Sequence, residues 1–401
     1  MPRPDRKRFR RAAAWGGAAL AGLAWLGWPQ AEAPVAVPPP AASAAVAAAP
    51  PRAVPPPAPA PFSAAGARDR RAQRALWQQR LARAEEALEA YRDATRYPHD
   101  SQPLDPRSEQ ADPHAPIREE RRLADAGDPE GPVLETTQER LFVQGVEPVR
   151  FTVSLRGADG RRLPLRVLHA SARELTELGQ ASLYPEVPLS FNDEGSAGDL
   201  QAGDGVHGAA LQAHAQGFAG LSGPIRVEVV LRVDERESRT FFDLLYTDRP
   251  PATWQGGVRE TMEDGSLVFH LRADVREAGR YVVTGRVVDA RGVPFALLRF
   301  NEEVPTGVQE FRLTLFGRLV RDARPAFPVA LRDVTGFLLH REGFPDRSLM
   351  PSRDGIVHVS QDHALDGFGE AEWSSEERSR YLDELGRDVA RARAEVERPG
   401  P

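Results

Sequence analysis

Asn192, Asp193, Asp199 and Asp204 bring four hard oxygen donors into one short stretch, interleaved with Gly195, Gly198, Gly203 and Gly205. Carboxylate and amide oxygens suit a hard cation such as calcium, and glycine permits the left-handed turns a chelating loop needs. The spacing departs from the EF-hand, because Asp193 has no donor two residues on and no glutamate closes the loop. Asx and Gly residues also build tight turns without metal, by bonding their own backbone. Calcium and plain turn chemistry both remain open at this point.

Other chemistry is harder to assemble. The histidines show no HxH or HxxxH spacing, and His358 and His363, with Asp362 between them, come nearest to a zinc pair. The absence of Cys removes disulfides, thiolate metal sites, cysteine nucleophiles and lipidated cysteine. Lys7 is the only lysine, which forbids Ser–Lys dyads and Walker phosphate loops downstream of it. The run Gly220-Leu221-Ser222-Gly223-Pro224 lacks the last glycine of a nucleophile elbow. The expectation is no catalytic residue and no enzyme, although 58 acidic residues leave a glycosidase pair open on composition alone. A formal charge of -6 offers no cationic field for a polyanion, so nucleic acid is not an expected partner. Trp254, Trp373 and Phe368 fall at strand or domain ends, where aromatic rings either stack on sugars or plug a core.

These residues need elements to position them, and the N-terminus comes first. Residues 1–11 are basic, with Arg3, Arg6, Lys7, Arg8, Arg10 and Arg11 against Asp5, and residues 12–28 carry no charge. A helix over 12–28 would span about 26 Å against a hydrocarbon core of about 30 Å. Trp15, Trp25 and Trp28 sit toward the ends of that segment, and Ala31-Glu32-Ala33 is followed by Pro34, an awkward residue for a signal peptidase. A single-pass signal anchor is expected, with residues 1–11 in the cytoplasm by the positive-inside rule and the bulk outside, in the periplasm or on the cell surface. A cleaved signal is the alternative.

Residues 29–65 collapse to Pro, Ala and Val and read as a spacer. Over 66–97 the apolar residues Trp77, Leu81, Ala84, Leu88 and Tyr91 recur at helical spacing, which suits docking on a neighbouring domain or oligomerisation. Residues 98–132 are polar and proline-rich, an extended segment or strap. From residue 133 the period becomes two. Phe151, Val153 and Leu155 alternate with polar residues, and Ile225 to Val233 is the clearest strand. The same grammar restarts after Thr247-Asp248-Arg249-Pro250-Pro251, from Leu267 onward. The expected fold is mostly β: two antiparallel β-sandwich, immunoglobulin-like domains over 133–247 and 248–368, with flanking helices. Residues 369–401 carry a charged helix with Ser374 or Ser375 as its N-cap.

Certain blocks resemble a known family. Ala90-Tyr91-Arg92-Asp93-Ala94-Thr95-Arg96-Tyr97-Pro98, Phe191-Asn192-Asp193-Glu194-Gly195 with Ala202-Gly203-Asp204-Gly205-Val206, and Tyr246-Thr247-Asp248-Arg249-Pro250-Pro251 occur in that order. So do Leu331-Arg332-Asp333-Val334-Thr335-Gly336-Phe337 and Gly343-Phe344-Pro345-Asp346-Arg347. Together they resemble the bacterial choice-of-anchor X domain family over about residues 87–380. His207-Gly208 stands where that pattern has Tyr-Thr. The resemblance implies an exported β-rich domain that members tether in different ways, and it implies no activity. The functional expectation is a membrane-anchored, non-catalytic protein binding an unidentified protein or glycan in the cell envelope. A carbohydrate-binding surface module is the alternative, followed by a hydrolase.

Overall fold

The alternating runs fold as strands. The computed structural model describes residues 64–123, 131–176, 180–233, 236–342 and 344–398, and over them the protein is mostly β, built as several antiparallel sheets. The apolar segment 12–28 lies outside the described residues, among which no helix is long and apolar enough to cross a membrane. The chain divides into two units, residues 1–90 with 380–401, and Tyr91–Ser379.

Helix α1 spans Ala64–Ala94. Trp77, Leu81, Ala84 and Leu88 are half-buried on one stripe, and the residues between them are exposed. In the C-terminal helix Glu376–Glu397, Val389 and Ala392 are buried, and Arg393 pairs with Glu85 at 2.7 Å. Ser375 caps this helix by accepting the Arg378 N–H at 3.0 Å, and Glu376 and Glu377 sit at the positive end of its dipole.

The second unit begins with a strap. It contributes β1 (Ser101–Pro103) and β2 (Ile117–Arg122). Next come β3 (Val133–Gln138), β4 (Phe142–Gln144), β5 (Val149–Arg156), β6 (Arg162–Leu163), β7 (Arg166–Glu174) and β8 (Val187–Pro188). Then follow β9 (Val206–Leu211), β10 (Ser222–Val233) and β11 (Arg236–Thr247). One sheet joins β2, β3, β5, β6 and β9, and the facing sheet runs β4-β11-β10-β7-β8, with β4 parallel to β11. Their inner faces share one core, in which Phe151, Phe218, Ile225, Leu231 and Tyr246 are fully buried. Alternation along β10 explains this directly, since Ile225, Val227, Val229, Leu231 and Val233 all enter the core.

A second core follows from β12 (Ala252–Glu263), β13 (Ser266–Val275), β14 (Gly279–Val288), β15 (Pro294–Val304) and β16 (Gly307–Leu315). It is completed by the short helix α2 (Gly317–Ala323), then β17 (Ala330–Leu339), β18 (Arg347–Leu349) and β19 (Arg353–Val359); the C-terminal helix is α3. The sheet β12-β13-β16 faces one formed by β1, β15, β14, β17, β18 and β19 around Phe269, Tyr281, Leu298 and Phe311. Strand β12 starts well before Leu267, where sequence alternation first becomes clear. Gly256 and Gly257 interrupt its pattern, and the register with β13 shifts between Gln255 and Arg259.

The strap serves both cores. β1 adds an edge to β15, and β2 adds one to β3. Between them the Gln110 carbonyl accepts from Nε of buried Arg286 at 2.8 Å, and burial pulls that guanidinium down to about 10. Where the cores meet, Thr247 Oγ1 accepts the Leu349 N–H at 3.0 Å.

Candidate functional site

The Asn192 to Asp204 loop lies between β8 and β9 and is anchored to β9 by bridges from Asn192 to Gly208 and from Gly198 to Ala209. Gly198 is required there. Its φ is +109°, and a Cβ would lie 2.2 Å from the Ala209 carbonyl carbon. Asp193 Oδ1 accepts from Gly203 N–H (2.8 Å) and Asp204 N–H (3.1 Å), and its Oδ2 accepts from Gly205 N–H (3.1 Å). Buried Asp199 accepts the Gly195 N–H at 2.5 Å, and Asp204 accepts the Val206 N–H at 2.8 Å. One carboxylate oxygen from each of Asp193, Asp199 and Asp204 lies within 4.8 Å of the other two. Asn192 is used differently: its Oδ1 accepts from Glu194 N–H (3.0 Å) and its Nδ2 donates to the Ser196 carbonyl (3.1 Å).

Three carboxylates with open lone pairs so close together match the donor set of a hard divalent cation. The backbone N–H groups already offset part of their charge, as in a metal-free Asx turn.

His358 and His363 converge on a residue that sequence reasoning missed. Their Nε2 atoms lie 2.8 and 3.2 Å from the two oxygens of Glu260, and Gln361 N–H donates to Oε1 at 2.8 Å. Glu260 is an inward-facing carboxylate on β12, nearly shielded from solvent. Burial raises its pKa, but the Gln361 N–H and the two imidazoles outweigh that and hold it below the ordinary value. Phe269 and Phe327 stack edge-on against these imidazoles at 5.9 and 6.0 Å. No sequence signal marks Glu260, because its partners come from the far end of the domain.

A second buried carboxylate, Asp248, follows β11. His214 Nδ1 lies 2.6 Å from it, while the Tyr246 hydroxyl (2.9 Å) and Gly220 N–H (2.9 Å) donate to it. Burial and Asp248 together push the Tyr246 hydroxyl well up. The aromatic candidates face inward: Phe368 is in the second core, and Trp254 packs against it, donating Nε1–H to the Pro351 carbonyl at 2.7 Å. Trp373 is half-buried. A cavity of about 490 Å³ is lined by Arg318, Arg321, Asp322, Arg324, Leu365 and Glu370, and Arg321 is paired with Glu370 at 2.9 Å.

No family model and no curated protein matches the chain. Among solved structures, a DUF4785 family protein from Legionella pneumophila is 15% identical with a TM-score of 0.40, over 57% of this chain and 58% of that one. The native conformation of E. coli alpha-2-macroglobulin is 14% identical with a TM-score of 0.26, over 58% of this chain and 14% of that one. PorU from Porphyromonas gingivalis is 13% identical with a TM-score of 0.17, over 65% and 22% respectively. The chain covers less than two thirds of each of these proteins.

Proposed function

We propose that the protein is a non-catalytic binding or scaffolding component of the bacterial cell envelope. Residues 12–28 hold it in the membrane with its N-terminus in the cytoplasm, and two immunoglobulin-like sandwich domains stand outside to meet a protein or glycan partner. The strap is the observation that carries this reading. One segment gives β1 to the second core and β2 to the first, and Thr247 is bonded to Leu349 at the junction. Modules tied twice in this way suit a fixed tandem arm better than two lobes that close on a substrate. The resemblance to the choice-of-anchor X family supports the same location. At the Asn192 loop, calcium held by Asp193, Asp199 and Asp204 would be a structural ion that stiffens one end of the first domain.

Fractionation of a bacterium producing the full chain tests the location. The expected result is recovery with membranes and cleavage of the β domains by protease added to spheroplasts. Recovery in the soluble cytoplasmic fraction, shielded from protease, overturns it. Calorimetric titration of calcium tests the ion, with a melting rise that follows saturation; persistence of the heat in Asp199→Ala with Asp204→Ala removes the site.

A further inference from the structure

The first turns of α1 have no helical partner among the described residues. Arg393 of α3 pairs with Glu85, Thr95 Oγ1 accepts from Arg378 Nε, and the two helices therefore run antiparallel. Helix α3 ends at Glu397, only about 6 Å beyond Arg393 by helical rise, which leaves some 25 Å of α1 before Leu81 projecting past it. Residues 71–76 are exposed, Leu76 at 46%, and Arg71 and Arg74 make no ion pair among the described residues.

The sequence of this overhang is not that of another apolar seam. Stepping back from Trp77 by three and seven residues, the spacing that carries the stripe forward, gives Arg74 and Arg70. An apolar helix from a second copy would find cations where its seam needs hydrophobic side chains. Residues 64–83 hold Arg68, Arg70, Arg71, Arg74, Arg80 and Arg83 against Asp69, a formal +5. The chain beyond, residues 84–401, holds 39 basic against 55 acidic residues, a formal -16. So residues 64–83 are strongly cationic and the chain that follows them is strongly anionic.

We propose that residues 64–83 dock on anionic phospholipid headgroups of the membrane from which the chain emerges, a reading that rests on residues 12–28 as the anchor. Charge selects this segment, because an anionic surface attracts residues 64–83 and repels the acidic remainder of the chain. The tether allows it. Thirty-five residues, 29–63, separate the apolar segment from α1, and a chain of that length spans at most roughly 120 Å when fully extended. That reach exceeds the rod's own length of about 30 Å, so the tether leaves the rod free to return to the same surface.

The absence of native Cys permits a direct test on the full chain. Ala72→Cys, labelled with an environment-sensitive fluorophore, is reconstituted into vesicles of phosphatidylcholine alone or mixed with phosphatidylglycerol. The expected result is protection of the label from an aqueous quencher only with phosphatidylglycerol, reversed by high salt. Arg68→Gln, Arg70→Gln, Arg71→Gln and Arg74→Gln together weaken docking roughly a hundredfold or more, and the four corresponding Lys substitutions keep it. A label left in water on both vesicle types, with the chain still membrane-bound, overturns the docking while the anchor stands. Failure of the chain to enter either vesicle removes anchor and docking together. Protection by soluble polyglutamate, or by raised protein concentration without lipid, assigns the rod to an acidic protein or a second copy and overturns the lipid reading.

Discussion

The acidic loop of the first β core holds its carboxylates with its own neighbouring backbone, whereas the second core holds Glu260 with imidazoles from elsewhere in the chain. Asp193 collects three N–H donors from Gly203, Asp204 and Gly205, all within a dozen residues. Glu260 draws on His358, Gln361 and His363, about a hundred residues away. The local arrangement closes one small loop and leaves its donors near water. The distant one ties strand β12 to β19 and the chain just after it, and its carboxylate is shielded from solvent. Local satisfaction costs little if one acceptor is lost, while distant satisfaction leaves several groups stranded at once.

The largest effects should come from the cores themselves. Phe311→Ala, whose ring meets Trp254, Tyr281 and Phe300 at 5.6, 5.8 and 5.0 Å, is expected to cost about 4 to 5 kcal/mol. Phe151→Ala, which meets Phe242 at 5.0 Å, is expected nearer 3 kcal/mol by chemical denaturation. Equal losses would erase the asymmetry between the cores. Within the acidic loop, Gly198→Ala drives a Cβ into the Ala209 backbone and should cost about 3 kcal/mol, against about 1 kcal/mol for Gly203→Ala, which has open space around it. A similar loss at both glycines would mean the loop is not held against β9.

The carboxylates test the comparison directly. Glu260→Ala is expected to destabilise by about 2 to 3 kcal/mol, because it strands two imidazoles and the Gln361 N–H, while Asp193→Ala costs about 1 kcal/mol, its donors being free to find water. The pH profile sharpens this. Glu260 has its native pKa below the ordinary 4.5, so its contribution is complete above that value and is lost as pH falls through the lower native one. Melting curves between neutral pH and pH 3 should show that slope in the native chain and a shallower one in Glu260→Gln. An unchanged slope removes the carboxylate from the account. The smallest effect belongs to the exposed pair Arg232 and Glu237, where Arg232→Ala should cost under about 0.5 kcal/mol.

Much of the fold could be read from spacing. Trp77, Leu81, Ala84 and Leu88 gave α1, Ser375 gave the start of α3, and alternation from Ile225 to Val233 gave β10. Where spacing is interrupted the signal fails. Gly256 and Gly257 break the period of β12, and Gly317–Ala323 is too short for a helical pattern to emerge. The zinc-like spacing of His358 and His363 drew attention to the right side chains with the wrong neighbour, since both turn to Glu260.

By itself, the sequence determined the elements whose burial repeats with a fixed period and the loop whose Asp and Gly residues act on their own backbone. Both depend on interactions among near neighbours, which composition and spacing record. Only the tertiary structure decided that the strap adds an edge to each core, that β4 runs parallel to β11, and that two histidines clasp Glu260. Each of those joins segments distant in sequence. Which distant partners meet depends on how whole sheets pack and which loops close, and no local spacing encodes it.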